Sequence, residues 1–131
     1  MTQKSDVGKI GEDMAAEYLK KQGWRIVERN HRQTFGELDI VCQDLDRTLV
    51  FVEVKTMVQF GNNLDGNKQI IPEDQMTRSK YLKTAKIATA YAGFNPKLII
   101  ESRGWRIDLL AIIIGSAGEC VNVKHYKNIS V

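Results

Sequence analysis

Residues 36–56, GELDIVCQDLDRTLVFVEVKT, decide how this chain is read. The turn Asp44-Leu45-Asp46-Arg47 separates two runs rich in Val, Ile, Leu and Phe, the signature of a β-hairpin with strands at 37–43 and 48–57. Side chains alternate between the two faces of a strand. The even positions Leu38, Ile40, Cys42, Val50, Val52 and Val54 are all apolar and form the expected core face. The odd positions carry Glu37, Asp39, Val41 and Gln43, then Leu49, Phe51, Glu53 and Lys55. The simplest register that keeps the even set together is closed by a three-residue loop. It sets Asp39 opposite Glu53, Val41 opposite Phe51 and Glu37 opposite Lys55.

Two carboxylates placed opposite each other destabilise a sheet by about 0.2–1 kcal/mol unless a proton or cation lies between them. A hard divalent cation resolves the conflict, because Mg²⁺ is held by one or two carboxylates together with waters and phosphate oxygens. Lys55, two residues beyond Glu53, projects from the same face. There an ammonium can hold an attacking water and offset charge that develops on a phosphorane. On spacing alone the bland alternative stays open: a solvated sheet face in which Lys55 makes a surface ion pair of little worth.

Around the hairpin, residues 5–22 read as a helix, with Asp6 as N-cap, Ile10, Met14, Tyr18 and Leu19 at the helical interval, and Gly23 as the stop. Glu12 falls on the border of its apolar arc. Trp24–Glu28 reads as a strand followed by the basic turn Arg29-Asn30-His31-Arg32. Gly61, Asn62, Asn63 and Gly66 mark a loop over 59–69. A second helix is expected over 73–92, with Met76, Leu82, Ala85, Ala88 and Tyr91 as its core stripe beside Arg78, Lys80, Lys83 and Lys86. Strands at 104–114 and 119–126 complete the chain. The resulting order, α-β-β-β-α-β-β, predicts an α/β class fold, a mixed sheet with helices packed on it and a crossover near the second helix.

The 131 residues fit one domain spanning 1–131, and 43% hydrophobic residues suffice for a core. The longest apolar run, Leu109–Ile114, falls far short of the ~20 residues that span a bilayer. No membrane partner is expected, and the polar N-terminus points to the cytoplasm of a bacterium or archaeon. Cys42 and Cys120, each beside valine, read as buried reduced thiols rather than as a disulfide or zinc framework. A net charge of +3 does not by itself argue for nucleic acid.

Five ordered segments resemble the YraN-like family of small bacterial proteins within the PD-(D/E)XK nuclease superfamily, itself similar to archaeal Holliday-junction resolvases. They are GKIGEDMAAEYLKKQGWRIVERNHR, GELDIV, LVFVEVKT, WRIDLLAI and VNVKHYKN. The superfamily motif is an acid, a variable gap, then Asp or Glu, any residue and Lys. Here it falls on Asp39, thirteen intervening residues, and Glu53-Val54-Lys55. The resemblance implies a restriction-endonuclease-like αβββαβ core with an added C-terminal strand. It also implies Asp39 and Glu53 as ligands of Mg²⁺ or Mn²⁺, Lys55 as the catalytic lysine and Glu12 as an additional acid and ligand. The chain departs from the family at Met57, where a basic residue is usual, and in its longer, less proline-rich linker over 59–76. Either Arg78 or Lys80 therefore stands at the second helix's usual basic position. Arg106 and Asp108 match an Arg-aromatic-Asp motif, with Ile107 in the aromatic place, and read as mainly structural. His125 reads as a strand-end residue rather than a general base.

An acidic pocket that must receive a polyanion needs cations around it. Arg29, His31, Arg32 and Lys80 are the candidates for nucleic-acid binding, with Lys68, Arg78, Lys83 and Arg106 as a further rim. No aromatic-rich motif suggests base reading, so phosphate contacts are expected to dominate. The sequence thus leads to two expectations. The first is a metal-dependent deoxyribonuclease acting on branched or single-stranded DNA. The alternative is a non-catalytic nucleic-acid-binding or scaffold protein that keeps the fold. A homodimer would follow from symmetric cutting of two strands, although no interface is legible in the sequence.

Overall fold

The computed structural model describes residues 4–34, 36–59 and 76–130. Helix α1 (Lys4–Lys21) is followed by strands β1 (Arg25–Gln33), β2 (Gly36–Gln43) and β3 (Leu49–Val58). Helix α2 (Arg78–Phe94), a short 3₁₀ turn (Pro96–Leu98), β4 (Trp105–Ile114) and β5 (Cys120–Tyr126) complete the described order. The strands form one sheet in the order β1-β2-β3-β4-β5. All neighbours are antiparallel except β3 and β4, which run parallel from Leu49–Trp105 to Val58–Ile114. A parallel pair needs a crossover, and α2 lies in it, as the sequence order requires. This is the mixed αβββαβ core with an added strand.

The hairpin register is the expected one: Ile40 faces Val52, Val41 faces Phe51 and Cys42 faces Val50. Asp44 N–H donates to the Thr48 carbonyl, which closes the loop Leu45-Asp46-Arg47, and Arg47 adopts the left-handed conformation that such loops need at their end. The burial pattern differs from expectation. The odd-numbered residues Val41, Leu49 and Phe51 are as buried as the even set, because each face of the sheet carries a helix. On one face Ala15, Ala16 and Leu19 of α1 pack on Ile40, Cys42, Val50, Val52, Leu110 and Ile112. On the other, Ile87, Ala88 and Tyr91 of α2 pack on Val41, Leu49, Phe51 and Ile107, with Leu38 joining this side. The near-continuous apolar run LVFV was the sign of a strand covered on both faces.

Several boundaries move for local reasons. Helix α1 starts at Lys4, so Asp6 lies in its first turn rather than at the cap. Its end is a Schellman motif, in which Gly23 N–H donates to Lys20 O and Trp24 N–H to Leu19 O, with Gly23 at φ +86°. Residues Arg29–Arg32 are not a turn but the second half of β1, with Asn30 at φ +55°, because β2 pairs with them through His31–Leu38 and Arg32–Glu37. Helix α2 begins at Arg78, since the Thr77 side chain accepts the Lys80 N–H as its N-cap. Its buried residues are Thr84, Ile87, Ala88 and Tyr91, whereas Leu82 is exposed. Cys42 is buried, but Cys120 is exposed; both are free thiols. Most of the loop expected over 59–69, including Lys68, and the expected helix start at 73–75 lie outside the described residues. Among the described residues no helix is long and apolar enough to cross a membrane.

Candidate metal centre

The ladder between β2 and β3 ends at Ile40–Val52, where Asp39 takes over a backbone role. Its Oδ2 accepts the Val54 N–H at 2.8 Å, so the side chain is fixed across the strand boundary. Register and this bond together bring Asp39 and Glu53 to one place. Both are buried, at 7% and 6% exposure. The expected Glu37–Lys55 pair does not form. Glu37 instead lies opposite Arg32 and pairs with it at 3.5 Å. Lys55 is exposed, on the odd side of β3 with Glu53.

Electrostatically this is a site with too much negative charge. Burial, and then the neighbouring Glu53, push the Asp39 carboxyl up to about 8, with Glu12 and Glu37 adding to the rise against the opposing Val54 hydrogen bond. Glu12 is also raised, by burial first and then by Glu37 and Glu53, with Arg29 opposing. It stands at the half-buried edge of α1, as the helical wheel implied. The helix comes this close because residue 11 is glycine: a Cβ there would collide with the Thr56 side chain of β3. The compensating charge comes from α2. Lys80 Nζ lies 2.6 Å from Glu53 Oε1. Burial pulls the Lys80 ammonium down, but Glu53, Asp39 and Glu37 outweigh it, and the net shift is upward.

Asp39, Glu53 and Lys80 line a cavity of about 300 Å³, whose lining does not include Glu12 or Lys55. Glu37, Asp39 and Glu53 form its strand wall, and Lys80, Lys83 and Thr84 its helix wall. Sequence reasoning placed Lys80 and Lys83 on a rim and missed Thr84. The available signal was the spacing of Lys80, Lys83, Thr84 and Ile87, which sets four residues on one face of a helix. Among the described residues no three His, Cys, Asp or Glu side chains converge closely enough to hold an ion unaided. Two buried carboxylates with surplus charge fit a cation that completes its shell with water and phosphate, which is the habit of Mg²⁺.

Arg29, His31 and Arg32 each meet an acid. Arg29 donates to Asp13 of α1 at 2.7 Å. His31 lies 2.9 Å from Glu28, whose other oxygen accepts the Tyr91 hydroxyl, and its ring packs edge-on against Tyr91. Arg32 is 81% exposed despite its pairing with Glu37.

A second acidic cluster lies where β4 begins. Asp108, fully buried, takes Arg106 Nε at 3.0 Å, the Asn128 N–H at 2.8 Å and His125 Nε2 at 2.8 Å. Arg106 also reaches Asp44 of the hairpin turn at 2.7 Å and lies over the Trp24 ring. Burial works against the Asp108 charge, but the bonds from His125, Arg106 and Asn128 outweigh it and hold its carboxyl below the usual range. Arg106, Asp108 and His125 thus tie the strand start, the hairpin turn and the segment after β5 together.

Residues 11–112 match the family described as Uncharacterised protein family UPF0102, and this span contains Glu12, Asp39, Glu53, Lys55 and Lys80. A UPF0102 protein of Syntrophus aciditrophicus is 41% identical over 84% of this chain and 89% of its own length. One from Dictyoglomus thermophilum is 35% identical over 94% of this chain and 95% of its own. One from Persephonella marina is 36% identical over 92% and 90%. Similarity that runs through nearly the whole length of both partners shows that this chain belongs to the UPF0102 family, the YraN family, which is PD-(D/E)XK-like.

Proposed function

We propose that this protein is a Mg²⁺- or Mn²⁺-dependent endonuclease that hydrolyses phosphodiester bonds of DNA in the cytoplasm. The observation that carries this reading is the meeting of two buried carboxylates, Asp39 and Glu53, in a cavity whose opposite wall bears Lys80 and Lys83. Asp39 and Glu53 would hold the cation, with Glu12 at the edge. When bound, it would supply Lewis-acid activation of water and of the phosphate. The protein's own groups do the rest. The Val54 N–H fixes the Asp39 carboxylate, so the ligand geometry is set before anything binds. Lys55, on the side of β3 that carries Glu53, is the group to hold the attacking water and offset charge on the phosphate as it is attacked. Lys83 and the exposed Arg32 would steer the polyanion toward the acids, through phosphate rather than base contacts. Cutting both strands would require two copies, which a solution mass tests.

A cleavage assay on duplex, forked, four-way and single-stranded DNA, with Mg²⁺, Mn²⁺ or EDTA, tests the reading. Cleavage is expected only with metal. Asp39→Ala and Lys55→Ala should each lower it by a factor on the order of 10²–10³. Unchanged activity in both variants, from a clean preparation, would end the proposal.

One observation favours a second reading. Lys80 already sits on Glu53 at 2.6 Å, so part of the charge is balanced without any metal. A protein that binds nucleic acid or acts as a scaffold while keeping the nuclease fold would have that arrangement. DNA binding with no cleavage under any metal would select it.

A further inference from the structure

Lys80 is positioned to do more than line a wall. Its backbone is fixed at the start of α2, because its N–H donates to the side-chain oxygen of the N-cap Thr77. Its side chain is long, 48% exposed and able to swing, whereas the Glu53 side chain it meets is 7% exposed and held in a strand. The ammonium therefore lies against a buried carboxylate from the cavity side.

We propose that Lys80 is an exchangeable internal counter-ion: a divalent cation displaces it from Glu53, and the freed ammonium then takes a phosphate of the polyanion beside Lys83. This rests on the metal-site reading above and adds a coupling to it. An ammonium and a divalent cation on the same carboxylate, only a few ångströms apart in a poorly solvated cavity, repel each other strongly. Occupancy by one excludes the other. Lys83 follows Lys80 by three residues on the same helix face and lines the same cavity, so the released Lys80 has a second cation with which to hold a phosphate. Metal and polyanion then bind cooperatively, since each removes the competitor of the other.

Calorimetric titration of Mg²⁺ alone into the full chain tests this without reference to activity. Lys80→Met should bind Mg²⁺ about ten-fold more tightly than the wild type, while Lys80→Arg, which keeps the charge, stays close to it. A phosphorothioate oligodeoxynucleotide, added as a slowly cleaved polyanion, should tighten Mg²⁺ binding in the wild type and do so much less in Lys80→Met. An independent readout is the ¹³Cε signal of Lys80 in lysine-labelled wild-type protein, which should move on saturation with Mg²⁺. Equal or weaker Mg²⁺ binding by Lys80→Met, or a Lys80 signal that ignores Mg²⁺, overturns the exchange. If the wild type and both variants take up no Mg²⁺ at all, the metal site itself is wrong and the exchange falls with it. If the wild type binds Mg²⁺ and Lys80→Met binds it no better, only the exchange fails.

Discussion

Asp39 and Asp108 stand on the two strands that flank β3, both are buried, and their carboxyls are driven in opposite directions. Burial raises both; the neighbours differ. Asp108 receives Arg106, His125 and a backbone N–H, so both carboxylate oxygens that water once served are served again. Asp39 receives one backbone N–H and faces Glu53, with Glu12 and Glu37 nearby. The first cluster is complete and holds the fold. The second keeps two mutually repelling carboxyls in a cavity.

The comparison is broken most severely at Asp108. Asp108→Ala leaves the Arg106 and His125 groups without their shared acceptor and should cost about 3–5 kcal/mol in urea unfolding at pH 7. A loss under about 1 kcal/mol would remove the distinction between the clusters.

Asp39→Asn should act in the opposite sense. The amide oxygen still accepts the Val54 N–H, but the repelled charge is gone. The metal-free protein should gain about 2 kcal/mol at pH 9 while losing Mg²⁺ binding. The pH dependence sharpens this. A carboxyl whose folded value lies above its unfolded one favours the fold fully below the unfolded value, and that advantage is lost as pH rises through the folded value. For Asp39 the window runs from about 4, the unfolded value, to about 8. Asp108 is lowered, so its contribution is present above the unfolded value and lost as pH falls through the folded one. Thermal melts in EDTA should therefore show stability falling as pH rises from about 4 to about 8 in the wild type, a fall that Asp39→Asn lacks. An identical slope in both proteins would refute the assignment.

A smaller effect is expected at Gly11. Gly11→Ala drives a methyl into Thr56, and overpacking of this kind costs about 1–3 kcal/mol, here at the low end because α1 can lift at its N-terminal half. Lifting moves Glu12 away from Glu53, so Mg²⁺ affinity should fall as well. The smallest is Arg32→Ala: on so exposed a side chain, stability should stay within about 0.5 kcal/mol, and the salt slope of DNA binding should fall by about one. A large loss of stability there would mean that the Arg32–Glu37 pair belongs with the Asp108 cluster.

Much of the hairpin was legible because strand side chains repeat every two residues and a three-residue loop fixes register, which is why Val41–Phe51 and Cys42–Val50 were paired correctly. The path of residues 29–32 was not. Their charges and Asn30 argue locally for a turn, and only the partners on β2 make them a strand. Leu82, a core residue by helical spacing, is exposed, while Thr84 is buried. A helix rich in alanine and lysine has a weak apolar stripe, so the choice of face falls to the sheet it meets.

By itself the sequence determined the element order, the register next to the hairpin turn and the placing of the acids Asp39 and Glu53 on one side of it, because alternation and turn chemistry are local. Only the tertiary structure decided which cations those acids meet. Lys80 is 27 residues from Glu53 in the chain and 2.6 Å away in space. Arg106 is 62 residues from Asp44 and 2.7 Å away. Electrostatic energy depends on distance through a medium of low polarity and not on position along the chain. One aspartate was thus left satisfied and the other wanting by the way the helices and strands closed around them.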